Sequence, residues 1–197
     1  MEKRSKKLAT GGVTYGFWDE GGFSSTPFVH RTWAPVGVTP ILTHPFNWTL
    51  ISAISVIMTT GELYFRLHPG KTIKSGEVVM FLHHLLRQVK GNIVLYWDGL
   101  PPHRSKKVKN FLEKHPRLQI KRLPPYSPDL NPDEAVWSYV KTRELANLSV
   151  KNTPELVHAI RGAMRKLQHR PHLVTSFLFE SELPWDPEVR QCIAQSI

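Results

Sequence analysis

Apolar and polar positions follow the period of strands in the first third of the chain and mix strand and helix periods after that. VTYGFWDE (13–20) reads as a first strand that ends in two carboxylates ahead of a Gly-Gly turn. FVHRTW (28–33) suggests a second short strand, and APVGVTP (34–40) is turn chemistry. WTLISAISVIMTT (48–60) and ELYFRLH (62–68) flank Gly61, which predicts a tightly connected strand pair. Ser75 is suited to cap a helix that carries Val78, Phe81, Leu82, Leu85, Leu86 and Val89 on one face. NIVLYWD (92–98) is the short apolar run of a buried central strand. A basic helix over about 104–114 follows, then LQIKRL (118–123) as another strand. The spacing next predicts a helix over about 131–146, and Thr153 with Pro154 caps a last long helix. In that helix Leu156, Ile160, Met164 and Leu167 recur at helical spacing. Strands first, then strand and helix in alternation, predict a mixed sheet with helices packed on its faces.

At 197 residues with 41% apolar content, the chain has the size and composition of one folded domain with a sizeable core. Residues 1–12 read as a basic, flexible lead-in, 13–170 as the domain, and 171–197 as an extension with weaker periodicity. A single cysteine excludes an intrachain disulfide and a cysteine-based zinc cluster. The most apolar run, TLISAISVIMTT (49–60), is 12 residues long and half polar, too short to span a bilayer. The start, MEKRSKKLATGG, has no hydrophobic segment behind its basic residues and is not a secretory signal. The expectation is a cytoplasmic protein with no membrane partner.

Charge changes the picture more. The formal net charge is +10, from 26 Lys and Arg against 16 Asp and Glu. Such a balance favours polyanionic partners through steering and counterion release. Residues 103–122 alone hold eight Lys or Arg against one Glu. A basic run is often just a solvated face, but its clustering here favours nucleic acid.

Three carboxylates stand at positions of interest. Asp19 follows Phe17 and Trp18 at the end of a strand, where an open sheet presents ligand-binding residues, although an Asp ahead of Gly-Gly also simply starts a loop. Glu20 beside it points to the opposite face if the strand continues. Asp98 repeats the arrangement at the end of NIVLYW, where Gly99 makes a plain turn the competing reading. In LPPYSPDLNPDEAVW (123–137), Asn131 and Pro132 fit an N-cap and first helical position, and Glu134 falls where a carboxylate completes a capping box. That structural role and a ligand role are compatible, because a capped helix start holds its carboxylate rigidly. Carboxylates from two strand ends and one helix start suit hard divalent cations, which accept phosphate oxygens in the rest of their shell. Two such ions activate a water or hydroxyl and stabilise the leaving oxygen of a phosphodiester.

Four segments in order then carry a family likeness: WDEGGF (18–23), RTWAPVGVTP (31–40), IVLYWDGLPPHRS (93–105) and LPPYSPDLNPDEAVWSYVK (123–141). Over most of 13–146 the chain resembles the catalytic domain of bacterial insertion-sequence transposases of the mariner-type superfamily. The resemblance implies an α/β, ribonuclease H-like fold, a central mixed five-stranded sheet flanked by helices. It implies that Asp19, Asp98 and Glu134 are the catalytic, metal-binding carboxylates and that they hold Mg2+ or Mn2+, as two ions. It implies strand cleavage at the ends of the insertion element by water, then attack of the freed 3′ hydroxyl on target DNA. Double-stranded DNA, a homodimer in the DNA complex and a separate or missing N-terminal helix-turn-helix domain are the implied partners. The alternatives are a nuclease of the same fold that does not join strands and a catalytically silent DNA-binding remnant. The family often has Asn after its second Asp, where this chain has Gly99, and an apolar residue before its final Glu, where Asp133 stands. The phase counted from Asn131-Pro132 selects Glu134 over Asp133.

Candidate DNA contacts are His103, Arg104, Lys106, Lys107, Lys109, Lys121, Arg122 and Tyr126, although so charged a helix cannot turn all of its basic residues to DNA; the other uses are a helix start for His103 and shaping of the active-site loop for Tyr126. Trp137, three residues after Glu134, is expected to pack beneath that carboxylate. Trp18 and Trp97 immediately precede Asp19 and Asp98, so strand alternation turns them away from the carboxylates into helix–sheet packing. His83 and His84 are assigned to packing or surface. Glu20 and Asp129 remain accessory acidic candidates.

Overall fold

The computed structural model describes residues 12–43, 49–124, 127–181 and 183. A five-stranded sheet forms its centre, with strands β1 (Val13–Ser24), β2 (Leu50–Met58), β3 (Leu63–Pro69), β4 (Asn92–Trp97) and β5 (Leu118–Arg122) in the order β3-β2-β1-β4-β5. β2 pairs antiparallel with β1 and β3, whereas β4 pairs parallel with β1 and β5. This is the expected mixed sheet, with β1 in the middle. The helices are α1 (Ser75–Gln88), α2 (Lys106–Glu113), α3 (Asp133–Tyr139), α4 (Thr153–Gln168) and α5 (Pro171–Glu180).

Alternation along β1 divides two cores. Phe17 and Phe23 join Ile51, Ala53 and Ile57 beneath Val136, Trp137, Ile160, Met164 and Phe177 of α3, α4 and α5. Trp18 turns the other way, with Ile54, Val56, Leu95 and Trp97, against Phe81, Leu82 and Leu85 of α1 and Val108 and Phe111 of α2. Each face is closed by helices, which is why β2 and β4 read as nearly continuous apolar runs.

Several local expectations are corrected. β1 does not stop at Glu20 but runs through both glycines to Ser24, so Asp19 lies within a strand and no Gly-Gly turn forms. The reason is packing: a Cβ on Gly21 would meet the Trp137 indole at 2.8 Å, so glycine lets α3 lie on the strand. Residues 28–33 form no strand; Phe28 makes a single bridge to Ala146, and His30 exchanges backbone bonds with the Asn147 amide. Gly61 turns the β2–β3 hairpin at φ +86°, as its position suggested. Ser75 lies inside α1, and Lys74 precedes it, with its N–H donated to Glu77 Oε2. Asn152 rather than Thr153 caps α4, its Oδ1 accepting from Glu155 N–H at 2.9 Å. The helix expected over 131–146 is α-helical only from Asp133 to Tyr139 and continues as a π-turn, Val140–Glu144. Part of the C-terminal extension is the helix α5, whose Val174, Phe177 and Leu178 complete a core. The lead-in 1–11 and residues 184–197 lie outside the described residues. Among the described residues no helix is long and apolar enough to cross a membrane.

Candidate active site

Asp19 sits on the α3 face of β1, directly across from Ser55 of β2. The Trp137 indole donates its Nε1–H to Asp19 Oδ2 at 3.0 Å. Burial, and after it the charge of Glu134, pushes the Asp19 carboxyl up to about 8; Asp98 adds a smaller push in the same direction. The Trp137 bond and a backbone N–H only partly offset this. Asp19 is therefore crowded by negative charge from the two other carboxylates that the sequence singles out.

Glu134 reaches this region from the first turn of α3, where its side chain is exposed. The expected capping box does not form, because the Asn131 N–H is bonded to Pro128 O. Asn131 acts through its side chain instead. Its Oδ1 accepts from Asp133 N–H at 3.3 Å and its Nδ2 donates to Trp18 O at 3.4 Å, which ties the helix start to β1. Asp133, the neighbour that competed with Glu134, is fully buried and accepts from Ser55 Oγ at 2.5 Å. Its Oδ1 is buried with no hydrogen-bond partner. Burial, and next the charge of Asp19, raises its pKa well above the usual carboxylate range. Asp133 is thus clamped on Ser55 beneath the start of α3, and Glu134 is the exposed carboxylate of this pair.

Asp98 follows β4. Its Oδ1 accepts from Leu100 N–H at 3.1 Å and lies 2.9 Å from His103 Nδ1. The other ring nitrogen, Nε2, is 2.9 Å from Glu20 Oε1. His103 is stacked on Trp97 at 4.3 Å and meets Trp18 edge-on at 5.8 Å. Burial alone would lower its pKa, but the bonds to Asp98 and Glu20 outweigh that and raise it to about 9. His103, a candidate for DNA contact, is buried here: its side chain is 1% exposed and both ring nitrogens face carboxylates.

The remaining basic candidates are on the surface. Arg104, Lys106, Lys107, Lys109, Lys121 and Arg122 are all exposed. Arg104 lies against Gly99, where a Cβ would meet its Nη2 at 2.7 Å, so the glycine at this position admits the guanidinium. Lys107 turns its Nζ toward Gly76 of α1, and Lys121 lies over the Tyr96 ring at 5.8 Å. Arg117, from the same basic run, is structural: its guanidinium donates to the carbonyls of Leu86, Val89 and Gly91 and closes the end of α1. Tyr126 lies outside the described residues.

The donor set suits a hard cation. All three carboxylates supply oxygen, and the raised Asp19 marks negative charge that a cation would relieve. As they stand, no three His, Cys, Asp or Glu side chains among the described residues are close enough to share one metal ion. Asp98 Oδ1 is meanwhile held by His103 and the Leu100 N–H. Sequence reasoning placed Trp137 as packing and missed its bond to Asp19; it also missed Ser55 and the partner of Glu20. Two signals were available: a glycine inside a strand two residues past Asp19, and a serine within the apolar run of β2.

A profile of the DDE superfamily endonucleases matches residues 14–157, a span that contains Asp19, Asp98 and Glu134. No curated protein matches the chain. Among solved structures, the Mos1 mariner paired end complex with Mn is similar in fold, at 16% identity and a TM-score of 0.61, over 100% of this chain and 62% of that one. The paired end complex with Mg gives 15% identity and 0.63, over 98% of this chain and 58% of that one. The Mos1 catalytic domain alone gives 14% identity and 0.56, over 99% and 92%. The chain therefore spans about three fifths of the proteins in the paired end complexes and most of the isolated catalytic domain.

Proposed function

Because the chain belongs to the DDE superfamily endonuclease family, we propose that it is the catalytic domain of a DNA transposase that cuts phosphodiesters with Mg2+ or Mn2+ held by Asp19, Asp98 and Glu134. The observation that carries this reading is the family match over residues 14–157, which spans all three carboxylates, with Asp19 half-buried on the α3 face of the central strand and bonded to Trp137. When bound, a pair of such cations lowers the pKa of an attacking water and stabilises the leaving oxygen. The other parts belong to the chain. Trp137 holds one oxygen of Asp19, and the Ser55–Asp133 clamp seats α3 so that Glu134 is presented from its first turn. Arg104, Lys106 and Lys109 leave the site directly after Asp98 and are exposed for the DNA backbone. Water would break the P–O bond that frees a 3′ hydroxyl at the end of the insertion element, and that hydroxyl would attack a target phosphodiester.

Structures of similar fold include a Mos1 paired-end complex, a pre-cleavage transpososome and a strand transfer complex. They support double-stranded DNA as the partner and two copies of the chain in the DNA complex. The test incubates the protein with Mg2+ and duplexes that carry the insertion-element ends or a scrambled sequence, and scores nicked and joined products separately. Asp98→Ala is expected to lower cleavage by at least roughly a hundredfold while leaving most non-specific binding intact. Unchanged cleavage in that variant would overturn the assignment. Nicked product without joined product would identify a plain nuclease, and binding without cleavage a silent remnant.

A further inference from the structure

The ladder between β1 and β4 ends just before Asp98. Its last matched pair is Phe17 with Tyr96; beyond it β1 continues beside β2 to Ser24, while β4 stops at Trp97. On the other side, Leu123 N–H still bonds Trp97 O. Asp98 therefore leaves the sheet with no ladder bond to β1, at the level where its side chain would have to act together with Asp19.

His103 fills that gap. It comes from a short 3₁₀ turn, Pro101–Arg104, and lies flat on Trp97 with Trp18 at its edge, on the face of the sheet opposite Asp19. From there Nε2 meets Glu20 of β1 and Nδ1 meets Asp98, each at 2.9 Å. The carboxylate of Glu20 is itself mostly buried, at 13% exposure, so this is a built contact and not a chance surface pair. Two bonds and two aromatic surfaces leave the imidazole one orientation. We propose that Glu20 and His103 form a positioning bridge that replaces the missing ladder and fixes the Asp98 carboxylate through Oδ1 for cation binding. The inference rests on the reading of Asp98 as a metal ligand. Neither Glu20 nor His103 touches the reacting atoms; both act through Asp98, as partners of metal ligands commonly do.

His103→Phe keeps a flat ring for Trp97 and removes both hydrogen bonds, while Glu20→Ala leaves the ring in place and removes its anchor. For each variant, Mn2+ binding is followed by electron paramagnetic resonance, alongside melting temperature, duplex binding and cleavage as a function of metal concentration. The expected result is a roughly 10–100-fold weaker Mn2+ affinity for His103→Phe, with duplex binding retained and cleavage partly recovered at high metal. Glu20→Ala is expected to move the same way by less. The double variant is expected to be no worse than His103→Phe alone, because both lie on one path. Mn2+ affinity within twofold of the parent in folded His103→Phe would overturn the bridge. If His103→Phe does not fold, unchanged affinity in Glu20→Ala overturns it. Asp98→Ala, run in parallel, separates the two ideas. If it keeps Mn2+ binding and cleavage, the metal site itself is misassigned; if it loses both while His103→Phe loses neither, only the bridge fails.

Discussion

Asp19 and Glu20 are neighbours of similar chemistry, and strand geometry sends them into opposite surroundings. Asp19 faces α3, where Glu134 and the buried Asp133 lie nearby and the Trp137 N–H is the side-chain donor that reaches it. Glu20 faces α1 and α2, where His103 meets it between two tryptophans. One carboxyl is left in an excess of negative charge, and the other is matched by an imidazole. The difference separates two uses of buried charge. A group without a protein counterion stays poised for an external cation, and a group with one makes a fixed strut.

The sharpest way to break this contrast is to neutralise Asp19. Its folded pKa, about 8, lies above the ordinary 3.8, so the folded chain keeps a proton there that the unfolded chain releases. The sign follows: this group favours folding most below about pH 4, loses that contribution as pH rises toward 8, and adds no further slope above it. Asp19→Asn is therefore expected to gain stability over the parent as pH rises, on the order of 2–4 kcal/mol at pH 8 after allowance for solvent screening. Mg2+ should raise the parent's melting temperature more at pH 8 than at pH 5 and leave the variant nearly unmoved. An equal gap between variant and parent at both pH values, measured by thermal melting without metal, would refute the crowded-carboxylate description.

A smaller effect is expected from the glycines that follow. Gly21→Ala drives a methyl into the Trp137 indole at 2.8 Å and should cost roughly 1–3 kcal/mol together with the Trp137–Asp19 bond. A Cβ on Gly22 would meet Leu50 at an ordinary 3.5 Å, so Gly22→Ala should stay within about 0.5 kcal/mol. Denaturant melts of the two variants compare the faces of one strand directly, and equal costs would show that α3 does not press on Gly21. The smallest effect is expected at the surface. Lys106→Ala and Lys109→Ala should each weaken duplex binding about equally for all sequences and reduce the salt slope by roughly 0.9. An unchanged slope would remove those side chains from the DNA path.

How legible the molecule was depended on what each feature rests on. Apolar periodicity found β2, β3, β4, β5, α1 and α4 to within a residue or two, because burial against a face repeats at a fixed interval. It failed at 28–33, where a strand-like composition meets no partner strand and makes one bridge. It failed again at the end of β1, where Gly-Gly resembles a turn but is a landing surface for α3. Residue type and order singled out Asp19, Asp98 and Glu134 as candidates, and alternation correctly sent Trp18 and Trp97 into helix–sheet packing. The same reasoning counted His103 among the candidates for DNA contact, since a histidine at the start of a basic run gives no sign that it will be buried.

By itself the amino-acid sequence determined the strand and helix faces, the excess of positive charge and the family to which the chain belongs. Each of these is written in local spacing or in short motifs. Only the tertiary structure decided which neighbour of the Asp133–Glu134 pair is buried, that Trp137 bonds Asp19, and that Glu20 meets Asp98 through His103. Those contacts join residues up to 118 positions apart. They depend on where a strand ends and on which helix covers which face, and no local spacing carries that information.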